Sequence, residues 1–219
     1  MAYILNIETA TKNCSVALAL DGKTILCKEI SELGFSHAEK LHVFIDEIIT
    51  STKLSFTDID AIAVSSGPGS YTGLRIGVSA AKGLSFALNI PLISVDTLTS
   101  LAHQVAFDDG LIVPMIDARR MEVYSAVFDS NKKKIRKVEA QILTENSFDD
   151  FDERIYFIGD ANEKAKLVLT KPNYIFLDTI IYPSANDMSA ISYQKFKENT
   201  FEDVAYFEPY YLKDFMFAK

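Results

Sequence analysis

The chain has 219 residues, 48% of them apolar and 24% charged, with a net charge of −8. That length suits one large domain or two lobes of about 100 residues each, and the acidic balance excludes broad nucleic-acid binding by the chain alone. Two cysteines, Cys14 and Cys27, give neither a disulfide framework nor a metal spacing. No apolar run approaches the roughly 20 residues of a membrane span. The start, MAYILNIETATKNCS, has no basic region ahead of its apolar run, so no signal peptide is read and a cytoplasmic location is expected.

In chain order, YILNIET (3–9) and CSVALAL (14–20) read as strands joined by a short polar turn. Asp21-Gly22 predicts a tight hairpin into a third strand, KTILCKEI. A helix follows, capped by Ser36 with Glu39 completing a capping box. Leu41, Phe44, Ile45 and Ile48 form its apolar stripe. AIAVSS (61–66) is a strand leading into a glycine-rich stretch and a helix. PLISV (91–95) is a strand, and a helix starts near Thr97. The order is βββαβαβα.

The second half opens the same way, with strands LIVPMIDA (111–118), EVYSAVFD (122–129) and KIRKVEAQIL (134–143). RIYFIGD is a later strand, NEKAKLVL a helix, YIFLD a short strand and SANDMSAISYQKFKEN (184–199) the last helix. Two halves that each begin with a β-meander and continue with αβ units predict a duplicated α/β lobe. The lobes are placed at residues 1–107 and 108–219. The basic run KKKIRK (132–137) reads as a solvated hairpin turn rather than an RNA contact. The aromatic tail AYFEPYYLKDFMF is expected to pack onto the body or onto a partner.

Five of the nine glycines fall in SSGPGSYTGLRIGVSAAKG (65–83). A P-loop starting at Gly67 requires its second glycine where Thr72 stands, and Gly73 is followed by Leu74 rather than lysine. The dinucleotide pattern fits Gly67 and Gly69 but again meets Thr72 at its sixth position. Gly67-Pro68-Gly69 instead turns strand into helix, with Ser70 as N-cap. On that helix Leu74, Val78, Ala81, Leu84 and Leu88 form a large apolar stripe suited to the sheet. Gly73, Gly77, Ala80, Gly83 and Ala87 form a stripe of small residues beside it, and Arg75, Ser79 and Lys82 the polar remainder. Interior glycines cost about 0.5–1 kcal/mol each relative to alanine, so they are expected to permit a close backbone approach. Two readings fit: packing within the lobe, or a helix-to-helix interface with a second chain through Gly73, Ile76, Gly77, Ala80, Gly83 and Ala87.

Candidate chemistry is sparse. His37 and His42 lie about 140° apart on a helix and miss the i, i+4 spacing of a zinc pair; His37 is expected to face solvent, and His103 is isolated. Glu8 and Asp117 are strand-end carboxylates, suited either to magnesium or base chemistry or to the ordinary polar exit of a strand from a core. A nucleophile elbow is absent.

The stretch SSGPGSYTGLRIGVSAAKGL, the opening ILNIETATKNCSVAL, SHAEKL and IDARRMEVYSA resemble the TsaB (YeaZ) family along essentially the whole chain. The resemblance implies the actin-like ATPase (ASKHA) fold, with two ribonuclease-H-like lobes of mixed sheets. It implies a non-catalytic assembly subunit in making threonylcarbamoyladenosine next to the anticodon of tRNAs that read ANN codons, with no catalytic residue, cofactor or metal in this chain. The implied partners are a TsaD-type catalytic subunit and a TsaE-type P-loop ATPase. A homodimer is implied when the chain is alone, and contact with tRNA only through the complex. The residues agree with a non-catalytic role. Active members of the fold bind phosphates on glycine-bearing hairpins, whereas the corresponding turns here read Glu8-Thr9-Ala10-Thr11-Lys12-Asn13 and Asp117-Ala118-Arg119-Arg120-Met121. Glu8 also stands where the family commonly has aspartate. A stand-alone ATPase or phosphotransferase of the same fold is the alternative. A peptidase is disfavoured, because the sequence offers no metal cluster, serine triad or plausible cysteine–histidine pair.

Overall fold

The computed structural model describes residues 1–31, 37–107 and 109–212. The predicted Ser36 cap, residue 108 at the expected lobe boundary and the end of the aromatic tail lie outside these.

Two five-stranded mixed sheets carry the fold. The first contains β1 (Tyr3–Glu8), β2 (Cys14–Leu20), β3 (Lys23–Ile30), β4 (Ala61–Gly67) and β5 (Leu92–Asp96), in the order β3-β2-β1-β4-β5. β1, β2 and β3 pair antiparallel; β4 runs parallel to β1, and β5 parallel to β4. The β2–β3 hairpin turns where predicted, with Asp21 at φ 49° and Gly22 at φ 81°, the left-handed pair that such a hairpin needs. The second sheet contains β6 (Leu111–Asp117), β7 (Glu122–Phe128), β8 (Lys134–Ile142), β9 (Ile155–Ile158) and β10 (Tyr174–Phe176), in the order β10-β9-β6-β7-β8. Written from the other edge, this is the order of the first sheet, so the duplication seen in the sequence is a duplication of topology.

β1 is apolar on both faces because both are covered. Leu5 and Ile7 join one core with Val16, Leu18, Ile62 and Val64, beneath α1 (His37–Thr52) and α2 (Tyr71–Leu88). Leu41, Phe44, Ile45 and Ile48 of α1 are buried in that core, as their spacing predicts. Each fully buried aliphatic side chain of this kind stabilises the fold by about 1.5–3 kcal/mol. The alternate residue Ile4 points the other way and joins Ala17, Ala61, Ala63, Ile93 and Val95. That second face is covered by α5 (Ala185–Lys197) through Ala185 and Met188. Ser184 caps α5 by accepting from Asn186 N.

The compact units therefore differ from the division at residue 107. One unit is Met1–Thr97 together with Pro183–Lys219; the other is Leu98–Tyr182. The reason is burial: the sheet face of Ile4, Ala17, Ala63, Ile93 and Val95 has α5 as its cover, so the last helix belongs with the first lobe. In the Leu98–Tyr182 unit, α3 (Thr97–Ala102) supplies Leu98, Leu101 and Ala102 to a core with Ile112, Ile116, Phe128 and Ile158. On the other face of that sheet, α4 (Asn162–Ala165) contributes Ala165 to a core with Val113, Met115, Val127 and Phe157.

Candidate functional site

The site is built around α2. β4 ends at Gly67 with φ +111°, a conformation in which a side chain is strained, and an added Cβ there would stand 2.6 Å from the Tyr210 carbonyl oxygen. Ser70 Oγ accepts from Gly73 N at 3.3 Å, capping α2 as predicted. Ser70 N donates to the Ala10 carbonyl at 2.7 Å, and a Cβ on Gly69 would collide with that same carbonyl.

Within α2 the small residues divide into two groups. Gly73 and Gly77 are buried, and a Cβ at either would collide with Thr9: its carbonyl oxygen in one case, its hydroxyl in the other. They lie next to the sheet-facing Leu74 and Val78, so they turn inward with them, against the β1–β2 turn. This corrects the expectation that Gly73 and Gly77 face a second chain. Gly83 has nothing within 4 Å of an added Cβ. Together with Arg75, Ile76, Ser79, Ala80 and Leu84 it lines an open groove of about 600 Å³, whose opposite wall is Ala38 and His42 of α1. Leu84 packs against the first core, as expected, and also contributes to the groove wall, while Ala87 is exposed outside that lining. The sequence reading missed His42, Arg75 and Ser79 as groove residues; for Arg75 and Ser79 the available signal was their place on the polar face beside the small-residue stripe, whereas His42 comes from α1.

The chain's return along α2 meets the expectation for the aromatic tail over its described part. Lys82 Nζ donates to the carbonyls of Ala205 at 3.2 Å and Phe207 at 2.8 Å. Val204 and Phe207 pack against the first core, while Tyr206 is exposed.

Glu8 is fully buried. Its Oε1 accepts from Ala10 N at 2.5 Å and from Ser65 Oγ at 2.9 Å. Loss of hydration on burial raises its pKa to about 7; the Ala10 and Ser65 hydrogen bonds oppose the rise, and the nearby charge of Asp187 adds to it. Asp117 is exposed at the second turn. It accepts from Arg119 N at 2.7 Å and from Lys164 Nζ at 2.6 Å. Lys164 Nζ also donates to the Arg120 and Glu122 carbonyls, at 2.9 and 2.5 Å. An ammonium thus stitches this turn together, and it supports the left-handed backbone of Arg119 (φ 72°) and Arg120 (φ 51°), which costs non-glycine residues about 1 kcal/mol or more each.

His37 departs from the solvent-facing expectation: its Nε2 lies 2.7 Å from the Thr11 carbonyl oxygen. His42 lines the groove, and His103 Nδ1 lies 2.8 Å from the Thr99 carbonyl oxygen. Among the described residues no three His, Cys, Asp or Glu side chains are grouped to hold a metal ion, and no helix is long and apolar enough to cross a membrane. The basic run is part of a hairpin, with Lys132 at φ 64° and Lys133 N donating to Asp129 Oδ1 at 2.8 Å. Arg136 pairs with Asp150 and Glu139.

Residues 32–215 match the family model described as "TsaD: tRNA N6-adenosine threonylcarbamoyltransferase". The tRNA threonylcarbamoyladenosine biosynthesis protein TsaB of Escherichia coli (strain K12) is 32% identical over 226 residues, covering 96% of this chain and 94% of that protein. The structure of YeaZ from Pseudomonas aeruginosa superposes with a TM-score of 0.82 at 25% identity, over 97% of this chain and all of that one. Component A of the (R)-2-hydroxyglutaryl-CoA dehydratase of Acidaminococcus fermentans shares the fold alone, at 9% identity and a TM-score of 0.52 over 89% of this chain and 99% of that one. The two mixed sheets of common order are those of the actin-like ATPase fold, and the near-full-length likeness to TsaB of Escherichia coli is specific within it: the chain belongs to the TsaB (YeaZ) family.

Proposed function

We propose that this chain works in tRNA threonylcarbamoyladenosine biosynthesis as a non-catalytic subunit that docks a TsaD-type catalytic chain in the groove between α1 and α2. One observation carries this reading: the groove of Ile76, Ala80, Gly83 and Leu84 against Ala38 and His42. It offers small and apolar side chains at helical spacing to another helix. The two turns support the non-catalytic part. Where an active member of the fold offers free backbone N–H groups to phosphates, the first turn packs the Ala10 and Thr9 carbonyls against Gly69 and Gly73, and the second is closed around the Lys164 ammonium. The P-loop ATPase joins the same assembly, tRNA is met only through it, and the isolated chain pairs with itself through the same groove. A cytoplasmic location follows from that substrate.

Gly83→Leu tests the docking surface, since residue 83 faces open space and the new side chain enters the groove without disturbing the fold. Affinity for the TsaD-type chain, measured by isothermal titration, is expected to fall at least about tenfold, or about 1.4 kcal/mol, with thermal stability at or above the parent because a helix-interior glycine is replaced. An unaltered affinity overturns the groove as the interface. Titration of the isolated chain with magnesium-ATP is expected to show no turnover.

A further inference from the structure

Arg75 stands on the rim of the groove and is held from two sides. Its Nε donates to the Tyr211 hydroxyl at 3.3 Å, and its guanidinium carbon lies 4.4 Å from the centroid of the Tyr71 ring. The two tyrosine rings touch each other, with centroids 5.0 Å apart. Tyr211 is brought there by the returning chain, which is tied down by Tyr210 N on the Ser66 carbonyl at 2.7 Å. A guanidinium has five N–H donors in a planar fork. Here the Nε donor is used on Tyr211; the Glu208 carboxylate acts on the guanidinium through space, but no carboxylate among the described residues comes close enough to form an ion pair with Arg75. An exposed arginine ordinarily loses much rotamer freedom when it binds. This one is already fixed, so the ordering cost of a new contact is reduced.

We propose that Arg75 is the charge-reading residue of the groove, its two Nη groups taking a carboxylate carried by the partner helix that seats there. The proposal rests on the groove being the docking surface. The chemistry of the lining selects the occupant. Ala38, Ile76, Ala80 and Leu84 are apolar, and the ionisable lining residues are a guanidinium and an imidazole, with no carboxylate. That pattern fits an amphipathic helix with an apolar buried face and an acid at its edge. A second copy meeting the groove across a twofold axis presents the same acid-free lining to itself. The Arg75 pairing therefore favours a foreign acid-bearing helix over self-association.

The test is the affinity for the TsaD-type chain at low and at high salt, beside self-association by sedimentation velocity. Arg75→Glu is expected to weaken the mixed complex about tenfold to a hundredfold and to flatten its salt dependence, while leaving the homodimer no weaker. Arg75→Lys keeps the charge without the fork and recovers part of the loss. Tyr211→Phe acts through Arg75: it weakens the mixed complex in the parent chain and has no effect in the Arg75→Ala background. If Arg75→Glu binds with parental affinity and salt slope while Gly83→Leu blocks binding, the role of Arg75 is overturned and the groove stands. If both variants bind normally, the groove falls and the inference with it.

Discussion

The Thr9 hydroxyl donates to the Gly73 carbonyl at 2.8 Å, and its Oγ1 fills the space a side chain at residue 77 would need. The small-residue stripe of α2 is therefore two devices in one helix. Residues 73 and 77 let the helix lie on the β1–β2 turn of its own lobe, and residues 80 and 83 keep the outer groove open.

Gly77 and Gly83 should consequently respond in opposite directions to alanine. In open space, Gly83→Ala gains the helix propensity of alanine, about 0.5–1 kcal/mol. Gly77→Ala makes the same local gain, but its methyl meets the Thr9 hydroxyl in a closed site, and overpacking of this kind costs about 1–3 kcal/mol. Urea unfolding should show Gly83→Ala at or above the parent and Gly77→Ala below it. In a Thr9→Ala background the Gly77→Ala penalty should shrink, because the obstructing oxygen is gone. Equal effects at both positions would contradict the two-device account.

Much of this arrangement was legible in the sequence, and its limits are physical. Short apolar runs and the Asp21-Gly22 turn located β1, β2 and β3 to within a residue, because local sterics and the apolar composition of a buried strand act over short spans. The Ser70 cap was equally local. What escaped were relationships between distant residues. The rotation of α2 depends on Thr9, whose hydroxyl bonds a carbonyl 64 residues away, and Arg75 meets Tyr211 across 136 residues. His37 was expected to face water for its place at a helix end, yet the turn at Thr11 comes to meet it. No pattern within a single element reports such approaches.

Glu8 should give the fold a pH dependence that its removal abolishes. Its carboxyl titrates near 4.5 without burial and at about 7 in the fold, so between those values the folded chain holds a proton that the unfolded chain has released. Stability then falls as pH rises through that window. The contribution is fully present below about pH 4.5 and lost by about pH 7, and its size is about 3 kcal/mol. Glu8→Gln keeps an oxygen for Ala10 N and Ser65 Oγ and cannot ionise. Denaturant midpoints measured from pH 5 to 8 should decline more steeply for the parent than for this variant, with the variant the more stable at pH 8. The lowered carboxyl of Asp150, paired with Arg136, and that of Asp178, paired with Lys166, titrate below this window. They cancel in the comparison.

The place of α5 makes the strongest demand on the organisation of the chain. Met188 is fully buried against the face of the first sheet formed by Ile4, Ala17, Ala63, Ile93 and Val95. If α5 is an integral layer of that lobe, Met188→Ala should cost about 2–5 kcal/mol, since the removed side chain leaves a cavity in a closed core. A fragment of residues 1–107 should then fare worse than any point variant. It keeps α1 and α2 over one face of the sheet and leaves the other face bare, a contiguous apolar surface that a monomer does not carry in water. Such a fragment is expected to aggregate or to unfold without a cooperative urea transition. Adding a separate peptide of residues 183–212 should restore the transition, because it returns α5 together with the segment that packs along α2. A cooperative transition from residues 1–107 alone would mean that the first lobe closes its core without the last helix, and the sequence-based boundary would then describe the folding unit better than the packing does.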